Sequence, residues 1–213
     1  MIIMKEVIAI VIGYLLGSIP AAYISTRLAT GKDIRQLGGG NVGGLNTFRE
    51  VGLWPAVIVG ITDVSKGAAA AAIAYWLLDL PPLAVMLTGL ATVVGHNWML
   101  WLKFSGGKGM GTTIGVLAVL FPVYGYWIGL IFIFAAIIIP YIITRNIAIA
   151  MGIALFCLPF ITWLGMNSVS GSIMAFLLAL IIGVKFFPTA KDSWSKAESK
   201  KDDFFFDNWR RDR

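Results

Sequence analysis

Leu83–Leu102 reads LAVMLTGLATVVGHNWMLWL: twenty residues with one His and no Asp, Glu, Lys or Arg. A helix of about 20 apolar residues spans a hydrocarbon core of ~30 Å. The stretch is followed at once by Lys103-Phe104-Ser105-Gly106-Gly107-Lys108-Gly109, and then by a second apolar run, Met110–Phe121. Apolar span, short basic glycine-rich loop, apolar run: that order sets the fold class, and it recurs along the chain.

Working outward, apolar runs lie at about Met4–Leu28, Trp54–Leu78, Tyr126–Ile143, Ile147–Leu164 and Ser172–Phe187. Met110–Phe121 is too short to cross straight at ~1.5 Å per residue, so it is expected to start within the membrane from a loop that dips in. Of the 213 residues, 58% are hydrophobic and 13% charged, half the charged share of a soluble domain. The expectation is an all-α integral membrane protein of seven transmembrane helices, residues 1–188 forming one membrane domain and 189–213 a polar tail. The first span has a single flanking Lys and no small-residue cleavage site, so it reads as a retained helix.

Arg27, Lys32, Arg35 and Arg49 follow the first span, Lys103 and Lys108 the third, Arg145 the fifth, and Lys185 and the tail the seventh. The alternate connections, near Asp79, Pro122 and Met166–Gly171, carry no Lys or Arg. Positive residues favour the cytoplasmic side. The N-terminus is therefore expected outside and the C-terminus and basic loops in the cytoplasm. The net charge of +6 does not imply nucleic acid, because the cations sit in short loops without a basic groove or stacking aromatics. One His and one Cys at distant positions make no zinc site, and the lone Cys157 permits no disulfide within the chain. No Gly-x-Ser-x-Gly elbow is present, nor an Asp five residues after His96. Trp54, Trp76, Trp98 and Trp101 lie near span ends and suit an interfacial belt.

Four stretches carry chemistry. In the polar segment 29–53, five glycines (Gly38, Gly39, Gly40, Gly43, Gly44) fall within seven residues. Successive backbone N–H groups there can converge on an anion. Arg35 and Arg49 flank the glycines and can fork onto phosphate, and Asn41 and Asn46 add donors. The competing reading is a flexible linker. In segment 103–111, Gly106-Gly107-Lys108-Gly109 with Thr112 opens a helix and joins N–H donors, dipole and ammonium. Its spacing is not that of a Walker loop, and the competing reading is a plain cytoplasmic turn. Asp63 and Lys66 share one helix face inside a span, as a functional pair or a structural one. His96 is the sole histidine, and reads as a general base, a phosphate ligand or a packed side chain.

In this order the motifs resemble those of the bacterial acyl-phosphate:glycerol-3-phosphate acyltransferases (PlsY-type). The likeness runs from Gly17-Ser18-Ile19-Pro20 through Asp33-Ile34-Arg35, Gly38–Arg49, Asp63…Lys66-Gly67, Gly95-His96 and Lys103…Gly109 to Thr144-Arg145, about two-thirds of the chain. Where the family pattern has Gly-Ser-Gly-Asn and Ala-Thr, this chain has Gly38-Gly39-Gly40-Asn41 and Gly44-Leu45. The family's third motif, His-Arg-Glu-Asn after the last span, is replaced by Lys185-Phe186-Phe187-Pro188-Thr189-Ala190-Lys191-Asp192. The resemblance implies a bacterial cell-membrane enzyme that transfers a fatty acyl group from acyl phosphate to the 1-hydroxyl of glycerol 3-phosphate. No cofactor, metal or nucleic acid is implied. The partners are the two substrates and membrane lipid; the oligomeric state is left open, a monomer included. Lys108, Arg49 and His96 are the catalytic candidates. Arg35, Gly38, Gly39, Gly40, Asn41, Asn46, Lys66, Gly106, Gly107, Gly109, Thr112 and Arg145 are the candidates for holding phosphate. A relative with another phosphorylated acceptor, and a non-catalytic phosphate-ester-binding or transport protein, are the alternatives.

Overall fold

The computed structural model describes residues 2–198. They form helices α1 (Ile2–Gly17), α2 (Ala21–Thr30), α3 (Gly44–Glu50), α4 (Leu53–Ala72), α5 (Pro82–Asn97), α6 (Met110–Val123), α7 (Gly129–Thr144), α8 (Ile147–Met166) and α9 (Val169–Glu198). No strand occurs among the described residues. The tail expected at 189–213 is helical to Glu198, and α9 passes through Pro188. Phe204-Phe205-Phe206 and Trp209, which beside Arg210-Arg211 suit contact with anionic lipid by sequence, lie outside the described residues.

Five stretches are long and apolar enough to cross a membrane: Ile3–Thr30, Leu53–Leu77, Pro82–Leu102, Ile149–Met166 and Val169–Pro188. α6 has 14 residues and α7 has 16, about 21 and 24 Å at ~1.5 Å per residue. The run expected from Tyr126 becomes helical only at Gly129, after a turn closed by Gly129 N–H donating to the Tyr126 carbonyl at 2.9 Å. The first span is interrupted at Ser18–Pro20. Proline has no N–H to continue the ladder, and the chain restarts as α2.

The chain divides into two compact units, one holding α1–α6 and the other α7–α9. In the first, α1 packs on α5 and α4 on α6. Small residues allow these helices to approach to backbone contact. A Cβ at Gly67 on α4 would strike the Thr112 carbonyl of α6, and one at Gly115 on α6 would strike the Val64 carbonyl of α4. Gly17 on α1 and Gly95 on α5 abut the partner backbone in the same way, at Thr92 and Tyr14. At the loop end of this unit, Ala21, Ala22, Ile34, Val42, Val59, Met99 and Leu102 form a buried cluster. That cluster pins the segment between α2 and α3 against α4 and the end of α5.

The second unit stacks α7 on α8 and α8 on α9 around Ala150, Ala154, Leu158, Leu178 and Ile182. Its outer faces expose Phe156, Phe160, Leu164, Phe176 and Phe187. In a helical protein, large apolar side chains facing outward on every helix suit hydrocarbon as the solvent.

Candidate functional site

The glycine-rich segment is a defined structure. Gly31, in the left-handed conformation, ends α2, and Asp33 caps a turn at Ile34–Gln36 by accepting the Arg35 N–H at 3.0 Å. The Arg35 side chain returns to the same carboxylate, Nε at 3.1 Å from each oxygen and Nη2 at 2.6 Å from Oδ2. Its Nη1 donates to the Leu102 carbonyl at 3.4 Å, and its guanidinium lies 5.7 Å from the Tyr23 ring centroid. The Arg35 hydrogen bond holds the Asp33 carboxyl below its ordinary pKa, and the same bond raises Arg35.

Gly38 and Gly40 turn the loop with φ of +52° and +67°, a region open to glycine at little cost. Beneath it Asn46 is buried. Its Nδ2 donates to the carbonyls of Leu37 and Asn41, both at 3.1 Å. Asn46 thus holds the loop in shape rather than facing outward as a donor. Asn41 is half-buried beside Gly43, and Arg49 stands exposed on α3.

The second loop follows α5. Lys103 and Phe104 are left-handed, with φ of +55° and +60°, which reverses the chain. The Gly107 N–H donates to the His96 carbonyl at 3.0 Å. Gly109, φ +82°, stands at the N-cap of α6 and bears no side-chain cap. Lys108 is half-buried. Burial first, and the positive charge of Arg49 second, hold its ammonium pKa below the ordinary lysine range. Two cations from different elements, α3 and the 103–109 loop, thus share one electrostatic neighbourhood.

Deeper in, Asp63 of α4 gathers two partners at one oxygen. Lys66 Nζ is 2.8 Å from Oδ1 and His96 Nδ1 is 3.3 Å from it. Lys66 also donates to the Ile19 carbonyl at 3.2 Å, at the α1–α2 break. Lys66 is 3% exposed and Asp63 7%. Lys66 is therefore engaged in joining α4 to the break rather than in an open site.

Residues 7–195 match the family described as glycerol-3-phosphate acyltransferase. A glycerol-3-phosphate acyltransferase 1 of Dehalococcoides mccartyi is 48% identical over 203 residues, 95% of this chain and 97% of the relative. This chain belongs to the glycerol-3-phosphate acyltransferase family. A glycerol-3-phosphate acyltransferase 2 of the same organism is 36% identical, covering 91% of this chain and 89% of its own. Among solved structures, PlsY, an integral membrane glycerol 3-phosphate acyltransferase, superposes in its glycerol 3-phosphate form with a TM-score of 0.78 at 26% identity. That match covers 90% of this chain and 92% of PlsY, and the lysophosphatidic acid form of PlsY matches at 0.76. Like PlsY, this acyltransferase-family chain is an integral membrane protein.

Of the residues singled out from sequence, the fold brings Arg35, Gly38–Gly40, Asn41, Asn46, Arg49, Lys66, His96, Gly106–Gly109 and Thr112 into the first unit. Thr112 is fully buried on α6, its carbonyl against Gly67. Arg145 belongs to the second unit, where it ends α7 in a left-handed conformation and donates its N–H to the Tyr141 carbonyl at 2.8 Å. Sequence reasoning missed Asp33 and Tyr23 as partners of Arg35, and Asp63 as the partner of His96. The last two lie 33 positions apart, and no local pattern joins them.

Proposed function

We propose that this chain transfers a fatty acyl group from an acyl phosphate to the 1-hydroxyl of glycerol 3-phosphate, forming lysophosphatidic acid and inorganic phosphate. The observation that carries this is that Lys108, in the second glycine-rich loop, feels the charge of Arg49, on the helix that follows the first. Like charges drawn together at a half-buried lysine are stabilised by a bound dianion, and both proposed substrates supply one. The family's name and the ligands of the PlsY structures support the same acceptor and product.

The chemistry balances without a protein nucleophile. The acyl carbon–oxygen bond to phosphate breaks, the hydroxyl oxygen forms the new ester, and its proton passes to the departing phosphate. The donor arrives activated, so the protein contributes position and electrostatic stabilisation. Lys108 and Arg49 would hold charge developing on the leaving group. Gly38, Gly39, Gly106 and Gly109 would offer backbone N–H groups, with Arg35 and Asn41 adding phosphate contacts, while Gly40 and Gly107, whose N–H groups go to the Leu37 and His96 carbonyls, would shape the loops. Asn46, Lys66 and Thr112 would act through the loops and helices they support.

The loop charges support seven crossings, with the N-terminus outside and the site on the cytoplasmic face of a bacterial cell membrane. On this reading α6 and α7 are the short crossings, residues 1–188 function as one membrane domain and 189–213 as its tail. Labelling of single cysteines at positions 32, 79 and 168 in intact cells tests the orientation; label from outside at position 32 overturns it.

The reaction is tested with purified protein, palmitoyl phosphate and glycerol 3-phosphate, following phosphate release and the lipid product. Lysophosphatidic acid is the expected product, and Lys108→Ala and Arg49→Ala abolish it. Retained turnover in both variants refutes the site. Phosphate release with no glycerol-bearing lipid refutes the acceptor. The replacement of the third motif by Lys185–Asp192 favours one second reading, a different phosphorylated alcohol as acceptor, and a panel of such alcohols separates the two.

A further inference from the structure

The dipeptide His96-Asn97 closes α5, and the loop 106–109 is moulded on it. A Cβ at Gly106 would strike the carbonyl oxygen of His96 and lie 2.5 Å from that of Asn97. One at Gly107 would strike His96 Nε2 and lie 2.7 Å from the Val42 carbonyl, and one at Gly109 would lie 2.8 Å from Asn97 Oδ1. Each of the loop's three glycines therefore leaves room for this dipeptide, and Lys108 alone carries a side chain. The Val42 carbonyl brings the first glycine-rich loop, 38–44, to the same point.

His96 is 3% exposed and Asn97 0%. The imidazole is gripped from both ends: Nδ1 lies 3.3 Å from Asp63 Oδ1, and Nε2 abuts Gly107. A general base needs a nitrogen within ~2.6–3.2 Å of the proton it removes. Here one ring nitrogen faces a carboxylate and the other lies beside the Gly107 backbone, in a side chain only 3% exposed, an arrangement that suits a positioning role better than proton transfer to a substrate hydroxyl. The Asp63 carboxylate 3.3 Å from Nδ1 favours a proton on that nitrogen and restrains the ring. The charged group against the ring is Asp63 of α4, which also binds Lys66, and Lys108 follows Gly107 in the adjoining loop.

We infer that Asp63 and His96 form a buried positioning pair that seats both glycine-rich loops, and that His96 acts on turnover through the placement of Lys108 and not as an acid or base. The inference rests on the acyltransferase reading for its kinetic consequences and on geometry alone for its structure.

His96 is the only histidine, so the untagged wild-type protein reports directly. Treated in detergent with diethyl pyrocarbonate, the native protein is expected to take up no carbethoxy group on imidazole and to keep its activity, while the denatured protein takes up one. In parallel, His96→Asn and Asp63→Asn are each expected to lower kcat/KM by on the order of 10- to 100-fold. The acidic limb of the pH profile stays in place, and the double variant is no worse than the weaker single, as coupled residues behave. Modification of the native protein with loss of turnover, protected by glycerol 3-phosphate, overturns the inference. So does an acidic limb that vanishes in His96→Asn, or losses that multiply in the double variant. Should wild type form no lysophosphatidic acid, the acyltransferase reading fails by itself. The modification result and a cycle of thermal unfolding midpoints then still decide the positioning pair.

Discussion

Replacing Gly107 by Ala inserts one methyl group where two fixed neighbours meet. The new Cβ would collide with His96 Nε2 and sit 2.7 Å from the Val42 carbonyl. Neither neighbour is the free end of a flexible chain: His96 is held by Asp63, and Val42 belongs to a buried cluster. The loop itself must therefore move, by roughly half an ångström to an ångström, to restore ordinary contact. Overpacking of this kind costs about 1–3 kcal/mol. A displacement of about 1 Å at a charge-positioning group costs up to ~10²-fold in rate, or ~2.7 kcal/mol at 1.36 kcal/mol per decade. Initial rates of phosphate release with glycerol 3-phosphate varied at saturating palmitoyl phosphate should show kcat/KM lowered about 10²-fold. Gly60→Ala is the control, on the exposed side of α4 with no heavy atom within 4 Å of its Cβ, and it should match wild type. Gly107→Ala within threefold of wild type, at an unchanged unfolding midpoint, would sink the argument that this loop is seated on His96.

Lys66→Met leaves the Asp63 carboxylate buried without its ammonium and should cost roughly 3–5 kcal/mol; adding Asp63→Asn should recover most of it, read from unfolding midpoints in detergent. Lys108 has its pKa held below the ordinary range, so its cation is present at lower pH and is lost as pH rises through that lowered value. The alkaline limb of kcat/KM should fall below an ordinary lysine's pKa, and Lys108→Arg, if active, should move it upward, because arginine stays charged. Without substrate the sign for stability is opposite: the unfolded chain holds the Lys108 proton more tightly, so stability rises as pH climbs through the folded pKa. Gly115→Ala drives a methyl into the Val64 carbonyl and should separate α4 from α6, lowering the unfolding midpoint and kcat/KM together.

The all-helical class and the five long apolar spans were legible because hydropathy over about 20 residues reports what lipid demands. Met110–Phe121 was read almost to its observed bounds, since glycines and turn residues frame it. The break at Ser18–Pro20 was less legible. Pro20 was visible, but not that the Ile19 carbonyl beside it would accept from Lys66, 47 positions away. The roles of the polar residues were the least legible. Arg35 and Asn46 carry donors in a glycine-rich segment, and by composition alone both suit phosphate. In the fold, buried Asn46 Nδ2 is engaged by carbonyls of its own loop, whereas Arg35 pairs with Asp33 at the exposed surface. A one-dimensional pattern names donors and cannot say which acceptors reach them first.

The cations make the same point about function. Lys66 lies inside a span, and its charge is answered at 2.8 Å by Asp63. That pairing is the condition for a charge to sit in a low-dielectric interior at all. Lys108 lies in a loop where burial and Arg49 both work against its charge, and the protein tolerates that cost. A dianion bound there would offset the repulsion from Arg49 and supply counter-charge to a half-buried ammonium. On the proposed reading, the same residue type would divide by electrostatic environment into a structural group, Lys66, and a ligand-binding one, Lys108. A phosphate that must arrive, be held and depart would be served by the second kind. On that reading the buried Asp63–Lys66–His96 set, tied through Lys66 to the Ile19 carbonyl, would hold the scaffold on which that second kind is displayed.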